Sequence, residues 1–251
     1  MKTLRELLQK PDAGELLRKL HHNGALRELI PELAAMDIRS RLHKDMLEHS
    51  IRVFENAVEF TDGKADDVLR VAALFHDIGK PATRRIEGST ASFRNHEAVG
   101  AKISRKVLPG YGYTKNEVAE AQTLIALHMR GHSFENGWTD SAVRRLVNDV
   151  GSSEQLERLI VIFSADATTN KKAKLDRFRA NAEKLRLEAL RVIADDKRKA
   201  LRPALDGNDV MELLDLKPGR ELGEIMKFLN SDEGVHLARD EAEKMILAKF
   251  Q

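Results

Sequence analysis

The 251-residue sequence contains no cysteine. Disulfides, thiolate zinc sites and cysteine nucleophiles are excluded together, so any metal site must use His, Asp and Glu. No run of about 18 uninterrupted apolar residues occurs, which excludes a transmembrane helix. The opening residues, MKTLRELLQKPDAGELL, carry charges every few positions and no apolar stretch, so they do not read as a secretory signal. A cytoplasmic location, with no membrane partner, is the expectation that follows. One-sided charge is lacking too: the formal net charge is +2, which by itself says nothing about partners. What is abundant is apolar and charged material, at 42% and 33% of the residues. The apolar residues are spread along the chain, which supports a sizeable core and excludes low-complexity disorder.

Helical periodicity dominates. From Lys44 to Phe60, Leu47, Ile51, Phe54 and Val58 form one apolar stripe. Val68, Val71, Ala72 and Phe75 form a second between Asp66 and Ile78, with Gly79 and Pro81 expected to stop that helix by C-cap chemistry. Further helices are predicted over Asn95–Leu108, Thr114–Met129, Thr139–Val150, Glu154–Thr168 and, strongly charged, Lys171–Lys199. Asp206–Leu214, Gly219–Leu229 and Asp232–Lys249 complete the set. Gly88 and Ser89 separate two short extended segments, predicting a small β-hairpin near Arg84–Phe93. The expected organisation is a cap of two or three short helices over 1–40, a helical domain over 41–200 and a helical tail over 201–251 packed on it.

Nine histidines occur, and their contexts differ. His76-Asp77 ends an apolar helix in LFHDIGKP, where both side chains can turn towards one ion. His49 lies on a partly apolar helix, His96 begins the helix after the hairpin, and His128 and His132 end another. Asp166 follows the apolar run LIVIF, and a carboxylate there is costly to bury without a partner or a cation. Taken singly, each has an ordinary structural reading; jointly, His49, His76, Asp77, His96, His128 and Asp166 all stand at an apolar helix or its end. Imidazole and carboxylate together suit one or two ions of Mn, Ni, Co, Fe, Zn or Mg. His21, His22, His43 and His236 lack such contexts and read as surface residues.

At these residues the sequence resembles the HD-domain metal-dependent phosphohydrolases, whose pattern is a His, an HD pair and a distant Asp, here His49, His76-Asp77 and Asp166. Members with two metals add two histidines in between, and His96 and His128 match by order. The blocks KDMLEHSIRV, LFHDIGKPATRR, SFRNHEAVGAKIS and the tail LDGNDVMELLDLKPGRELGEIMKFL resemble the C-terminal half of bacterial tRNA nucleotidyltransferases and poly(A) polymerases. The resemblance implies an all-α fold: an HD-domain helical bundle with one small β-hairpin and a helical C-terminal extension. It also implies metal-assisted phosphoester hydrolysis, with 2′,3′-cyclic phosphates of nucleotides or RNA ends as the leading substrates. Those transferases carry a head with a Gly-Ser loop and paired catalytic aspartates. No Gly-Ser loop followed by Asp-x-Asp occurs here, and Asp66-Asp67 and Asp195-Asp196 are adjacent pairs in charged contexts without a phosphate-cradling loop, so nucleotidyl addition is expected to be absent.

Asp77 is the candidate bridging ligand. Lys80 could neutralise a phosphate oxygen, or be a lysine favoured at a helix C-terminus. Arg84, with Arg85, follows on the hairpin, and Arg130 lies between two histidines. Arg144 and Arg145 resemble an arginine-bearing segment of the family, and one of them could hold a phosphate. From Lys171 to Arg202 there are twelve Lys/Arg against five Asp/Glu. That excess, beginning with Lys171 and Lys172 close after Asp166, would attract a polyanion such as RNA, tRNA included. It could equally be a solvated helix face laced by pairs such as Arg179–Glu183 and Lys184–Glu188. Stacking has little material, since this helix offers only Phe178. Two other readings stay open: a nucleotidase or cyclic-nucleotide phosphodiesterase on free small molecules, and a non-catalytic RNA-binding accessory protein. Oligomeric state is not legible.

Overall fold

The computed structural model describes residues 3–38, 45–88, 90–169 and 171–250. His43, Lys44 and Ser89, which figure in the readings above, lie outside them. Among the described residues the regular structure is helical apart from one two-stranded hairpin. The chain divides into two compact units, Met1–Val192 and Ile193–Gln251.

The first unit opens with four short helices, α1 (Leu4–Leu8), α2 (Ala13–His22), α3 (Ala25–Leu29) and α4 (Pro31–Ala34). Buried leucines at 4, 8, 17, 26 and 33 anchor them. Arg5 pairs with Asp67 and Glu117, and Arg18 with Glu48 and Glu55, tying α1 and α2 to the helices behind. Helix α5 (Met46–Phe60) starts where the Asp45 carboxylate accepts from the Glu48 N–H, an N-cap of ordinary kind. Its Leu47, Ile51 and Phe54 are buried, as the stripe requires.

Helix α6 (Asp67–Phe75) is capped by Asp66, and every residue from Val68 to Phe75 is buried. A helix buried on every side, here with Arg70 the one charged residue from Val68 to Phe75, belongs at the centre of its domain. The chain therefore leaves α6 inside the core, and the next two residues are His76 and Asp77. A short helix α7 (Lys80–Thr83) and the hairpin of β1 (Arg85–Glu87) and β2 (Thr90–Ser92) follow, with Ile86 opposite Ala91. Then come α8 (His96–Val107), α9 (Lys115–Leu127), a 3₁₀ segment His128–Asn136, α10 (Asp140–Val150) and α11 (Ser153–Ala165). Thr114, Thr139 and Ser152 are their N-caps, Thr114 as part of a capping box with Glu117. The long α12 (Lys172–Ala200) buries Ala182, Leu185, Ala189 and Val192 at helical spacing.

The second unit takes in the end of α12 with α13 (Gly207–Leu214), α14 (Arg220–Leu229) and α15 (Arg239–Phe250). Leu205, Val210, Ile225, Leu229, Ala242 and Ile246 make its core.

Three local expectations need correction. Gly79 is not a left-handed C-cap: its φ is −81°. Its small size serves a close approach, because a Cβ there would lie 2.1 Å from the His96 carbonyl oxygen and 2.6 Å from the Gly100 nitrogen. The last helix begins at Arg239, not Asp232; Gly234 sits so tightly on the end of α14 that a Cβ would come within 2.4 Å of the Phe228 carbonyl oxygen. On α12, Glu183 pairs with Arg186 and Glu188 with Arg191, each one turn forward rather than back.

Candidate metal centre

Six side chains from five places in the sequence meet around Asp77. His49 comes from the first turn of α5, His76 and Asp77 from the turn leaving α6, and His96 from the first position of α8. His128 follows the last residue of α9, and Asp166 follows the last of α11. The helix ends that the sequence marks with polar residues are thus the ones that converge. His76 is fully buried and Asp77 nearly so, while the His49 and Asp166 side chains are 15% and 12% exposed. That edge is where the site opens.

The two oxygens of Asp77 face opposite ways. Oδ2 lies 3.5 Å from His49 Nε2 and 3.2 Å from His76 Nε2; Oδ1 lies 3.1 Å from His96 Nε2 and 3.7 Å from His128 Nε2. Two groups able to hold an ion therefore share one carboxylate: His49, His76 and Asp77 on one side, Asp77, His96 and His128 on the other. Asp166 stands on the first side, its Oδ1 3.0 Å from His49 Nε2 and 3.7 Å from His76 Nε2.

The outer ring nitrogens explain why the inner ones point inward. Nδ1 of His76 donates to the Ala73 carbonyl at 2.8 Å, that of His96 to Phe93 at 2.8 Å and that of His128 to Ile125 at 2.7 Å. A carbonyl only accepts, so each Nδ1 carries a proton, and Nε2 of the neutral ring has a lone pair that either a proton shared with the carboxylates or a metal ion can take. His49 Nδ1 lies 3.0 Å from the Thr168 hydroxyl, which can accept in the same way. The Nε2 atoms of His49 and His76 are 3.3 Å apart, and those of His96 and His128 are 3.2 Å apart. Facing lone pairs between carboxylate oxygens are a donor set for a cation, and the residues present fit one or two divalent ions.

The electrostatics agree. Burial would raise the Asp77 carboxyl, but the charge of His76 and hydrogen bonds from His128, His76 and His96 hold it well below the usual carboxylate range. Burial likewise opposes ionisation of Asp166, and hydrogen bonds from His132 and His49 outweigh it. His128 is pushed down by burial and stays neutral, as a ligand must. Burial also acts to lower His76, yet Asp77 and Asp166 raise it, so a proton competes with a metal for that lone pair.

The cationic candidates are more scattered. Lys80 reaches Asp77 Oδ2 at 2.5 Å and lies over the Phe93 ring. Lys171 helps line a cleft of about 430 Å³ beside His49, with Asp45, Glu48, Arg52, Thr168 and Thr169. Arg84 is the half-buried C-cap of α7 and Arg85 lies exposed on β1. Arg130 is engaged by Asp149 at 3.0 Å, and Lys172 by Asp176 at 2.8 Å. Arg144 is half-buried on α10 and Arg145 exposed. One contact escapes the sequence reading altogether: His132 Nε2 donates to Asp166 Oδ2 at 2.9 Å. Its only sequence signal is the spacing of four from His128.

Comparison with known proteins places this geometry. A family model for the HD domain matches residues 46–171. The chain is 30% identical to an A-adding tRNA nucleotidyltransferase of Deinococcus radiodurans over 90% of its own length and 52% of that protein. It is 30% identical to a CC-adding tRNA nucleotidyltransferase of Thermus thermophilus over 97% of itself and 55% of that protein. A bifunctional uridylyltransferase/uridylyl-removing enzyme of Cereibacter sphaeroides is 27% identical over 82% of this chain and 25% of that protein. The chain thus spans about half the length of the two tRNA nucleotidyltransferases. No helix among the described residues is long and apolar enough to cross a membrane. With its HD pair at the end of a buried helix and a family match over half its length, the chain belongs to the HD domain family.

Proposed function

We propose that this protein is a metal-dependent phosphohydrolase acting on phosphoesters of nucleotides or RNA ends, 2′,3′-cyclic phosphates foremost. The observation that carries the reading is the splitting of one carboxylate, Asp77, between two histidine pairs whose lone pairs all face inward. Divalent ions held there would supply Lewis-acid polarisation of a phosphoryl oxygen and a water acidified to near-neutral pKa. His49, His76, His96, His128 and the two aspartates would hold them. Lys80 brings an ammonium to Asp77, so a phosphate drawn to the centre meets a positive charge. The cleft beside His49 is within the size range of small-molecule sites and opens on Lys171 and Arg52, which suits a nucleotide.

The test is a phosphoester panel with metal-stripped protein and each divalent metal added singly. It compares 2′,3′-cAMP, 3′,5′-cAMP, 2′- and 3′-AMP, deoxynucleoside monophosphates and an RNA ending in a cyclic phosphate. Turnover is expected to be highest on the 2′,3′-cyclic esters. A preference for 3′,5′-cAMP or monophosphates would favour a free-nucleotide enzyme, and no turnover with any metal would overturn the reading.

RNA as the partner rests on α12. Several of its charges are taken up internally, Arg186 by Glu157 and Arg191 by Asp140. Lys174, Arg177 and Lys184 are exposed on the part of α12 that follows the cleft. Replacing all three by glutamine is expected to weaken RNA binding and flatten the log K against log salt slope by about 2, at roughly 0.7 per lost phosphate contact on a single strand. Mononucleotide hydrolysis should not change. An unaltered slope in fluorescence-anisotropy titrations would return α12 to a solvated face. The tRNA-adding activities named for the two Deinococcus and Thermus relatives make a tRNA end the first RNA to try.

A further inference from the structure

The two halves of the centre are not built alike. In the half formed by Asp77 Oδ1, His96 and His128, both histidines are held by main-chain carbonyls three residues back, those of Phe93 and Ile125. A main-chain carbonyl is fixed by the fold and no side-chain substitution removes it. In the other half only His76 has such a support, from Ala73. His49 depends on the hydroxyl of Thr168, in the stretch that follows Asp166. Asp166 depends on His132, which takes Oδ2 at 2.9 Å and leaves Oδ1 facing His49 and His76. His132 is 38% exposed and its ring meets the edge of Phe178 on α12. Two of the three supports of this half are thus removable side chains at the open edge of the site.

We infer that His132 and Thr168 are positioning residues dedicated to one of two ion positions, the one formed by His49, His76, Asp77 and Asp166. The inference rests on the reading of the centre as binding two ions. Its physical basis is that a ligand's orientation is set by the partner of its outer atom. Losing that partner commonly lowers metal affinity about 10–100-fold. Because His132 grips the far oxygen of Asp166, its removal frees the carboxylate to rotate away from His49. Because Thr168 holds Nδ1 of His49, its removal frees the ring to turn or exchange tautomers. Neither change touches the supports of His96 and His128.

The test is Mn²⁺ binding to the metal-stripped full chain, by calorimetry and by the electron paramagnetic resonance of free Mn²⁺. Wild type is expected to take two ions in two resolved steps. His132→Ala and Thr168→Val are each expected to weaken the same single step, by about 10–100-fold, and to leave the other unchanged. His132→Gln should restore it, since its side-chain amide can donate to Asp166 in place of Nε2. His96→Ala should instead weaken the other step. Thermal unfolding without metal checks that each variant is folded. Equal weakening of both steps in His132→Ala, or none, overturns the inference while leaving the metal centre intact. A wild-type stoichiometry of one also overturns it. Failure of the wild type to bind any ion overturns the proposed function as well.

Discussion

Asp77→Ala is expected to bring metal-dependent phosphoester hydrolysis down to the rate of the metal-stripped protein. Loss of a mere outer partner of a ligand typically costs about 10–100-fold in affinity or activity. Asp77 faces both halves at once, with Oδ2 near His49 and His76 and Oδ1 near His96 and His128. Its removal takes away a donor and the buried charge that offsets a cation on either side, so the loss should exceed about a hundredfold. The measurement is steady-state turnover on the best ester of the panel, after stripping and reconstitution with the best metal. Wild-type turnover in the variant would show that the chemistry lies elsewhere. His96→Ala and His128→Ala serve as comparison. They should approach Asp77→Ala if two ions are required and fall well short of it if one suffices.

The largest expected effect on stability belongs to Gly79→Ala. This is a single added methyl on a residue with ordinary helical φ, so no backbone preference is violated. The difficulty is space: the new carbon would stand 2.1 Å from the His96 carbonyl oxygen and 2.6 Å from the Gly100 nitrogen, and both are main-chain atoms. No rotamer change relieves that, so α8 must move away from the His76–Asp77 turn. Overpacking of this kind costs about 1–3 kcal/mol and occasionally more, and the upper end is expected here. At about 2–4 °C per kcal/mol for a chain of this size, the midpoint of thermal unfolding should fall by roughly 6–12 °C. The half-site containing His96 should lose its ion as the helix withdraws. An unchanged midpoint would mean that the turn and α8 are not in contact in solution.

The contrast between these two positions shows what the sequence makes legible. Asp77 is visible because it is polar at the point where an apolar stripe runs out, a pattern that also marks His128 and Asp166, while His96 is marked by opening the helix after the hairpin. The helices are visible for the same reason, and the all-α bundle with one hairpin follows from them. Gly79 is legible as a glycine but not in its purpose. Beside Pro81 it reads as a helix stop, whereas its role is set by a backbone that arrives from seventeen residues later. His132 is hidden for a related reason. Its partner, Asp166, lies 34 residues on, and only the packing of the 3₁₀ segment against α11 joins them. The start of α15 is misplaced because charge and periodicity continue through 232–238, while the tight seat of Gly234 on α14 decides the geometry. Residues whose role is local are readable from their neighbours; residues whose role is a contact across the fold are not.

The histidines fixed through Nδ1 also bear on how the protein holds itself together. Folding locks the rings of His76, His96 and His128 by main-chain carbonyls three residues back before any ion is considered. It thereby gathers electron pairs that repel one another, a local frustration inside the core. A ligand that binds only the folded chain relieves it and adds stability through linkage, about 2.7 kcal/mol when present at a hundred times its dissociation constant. Stability and loading then become one quantity. The heat resistance of this chain should track the free divalent ion concentration around it, rising with supply and falling under a chelator, even when no substrate is present.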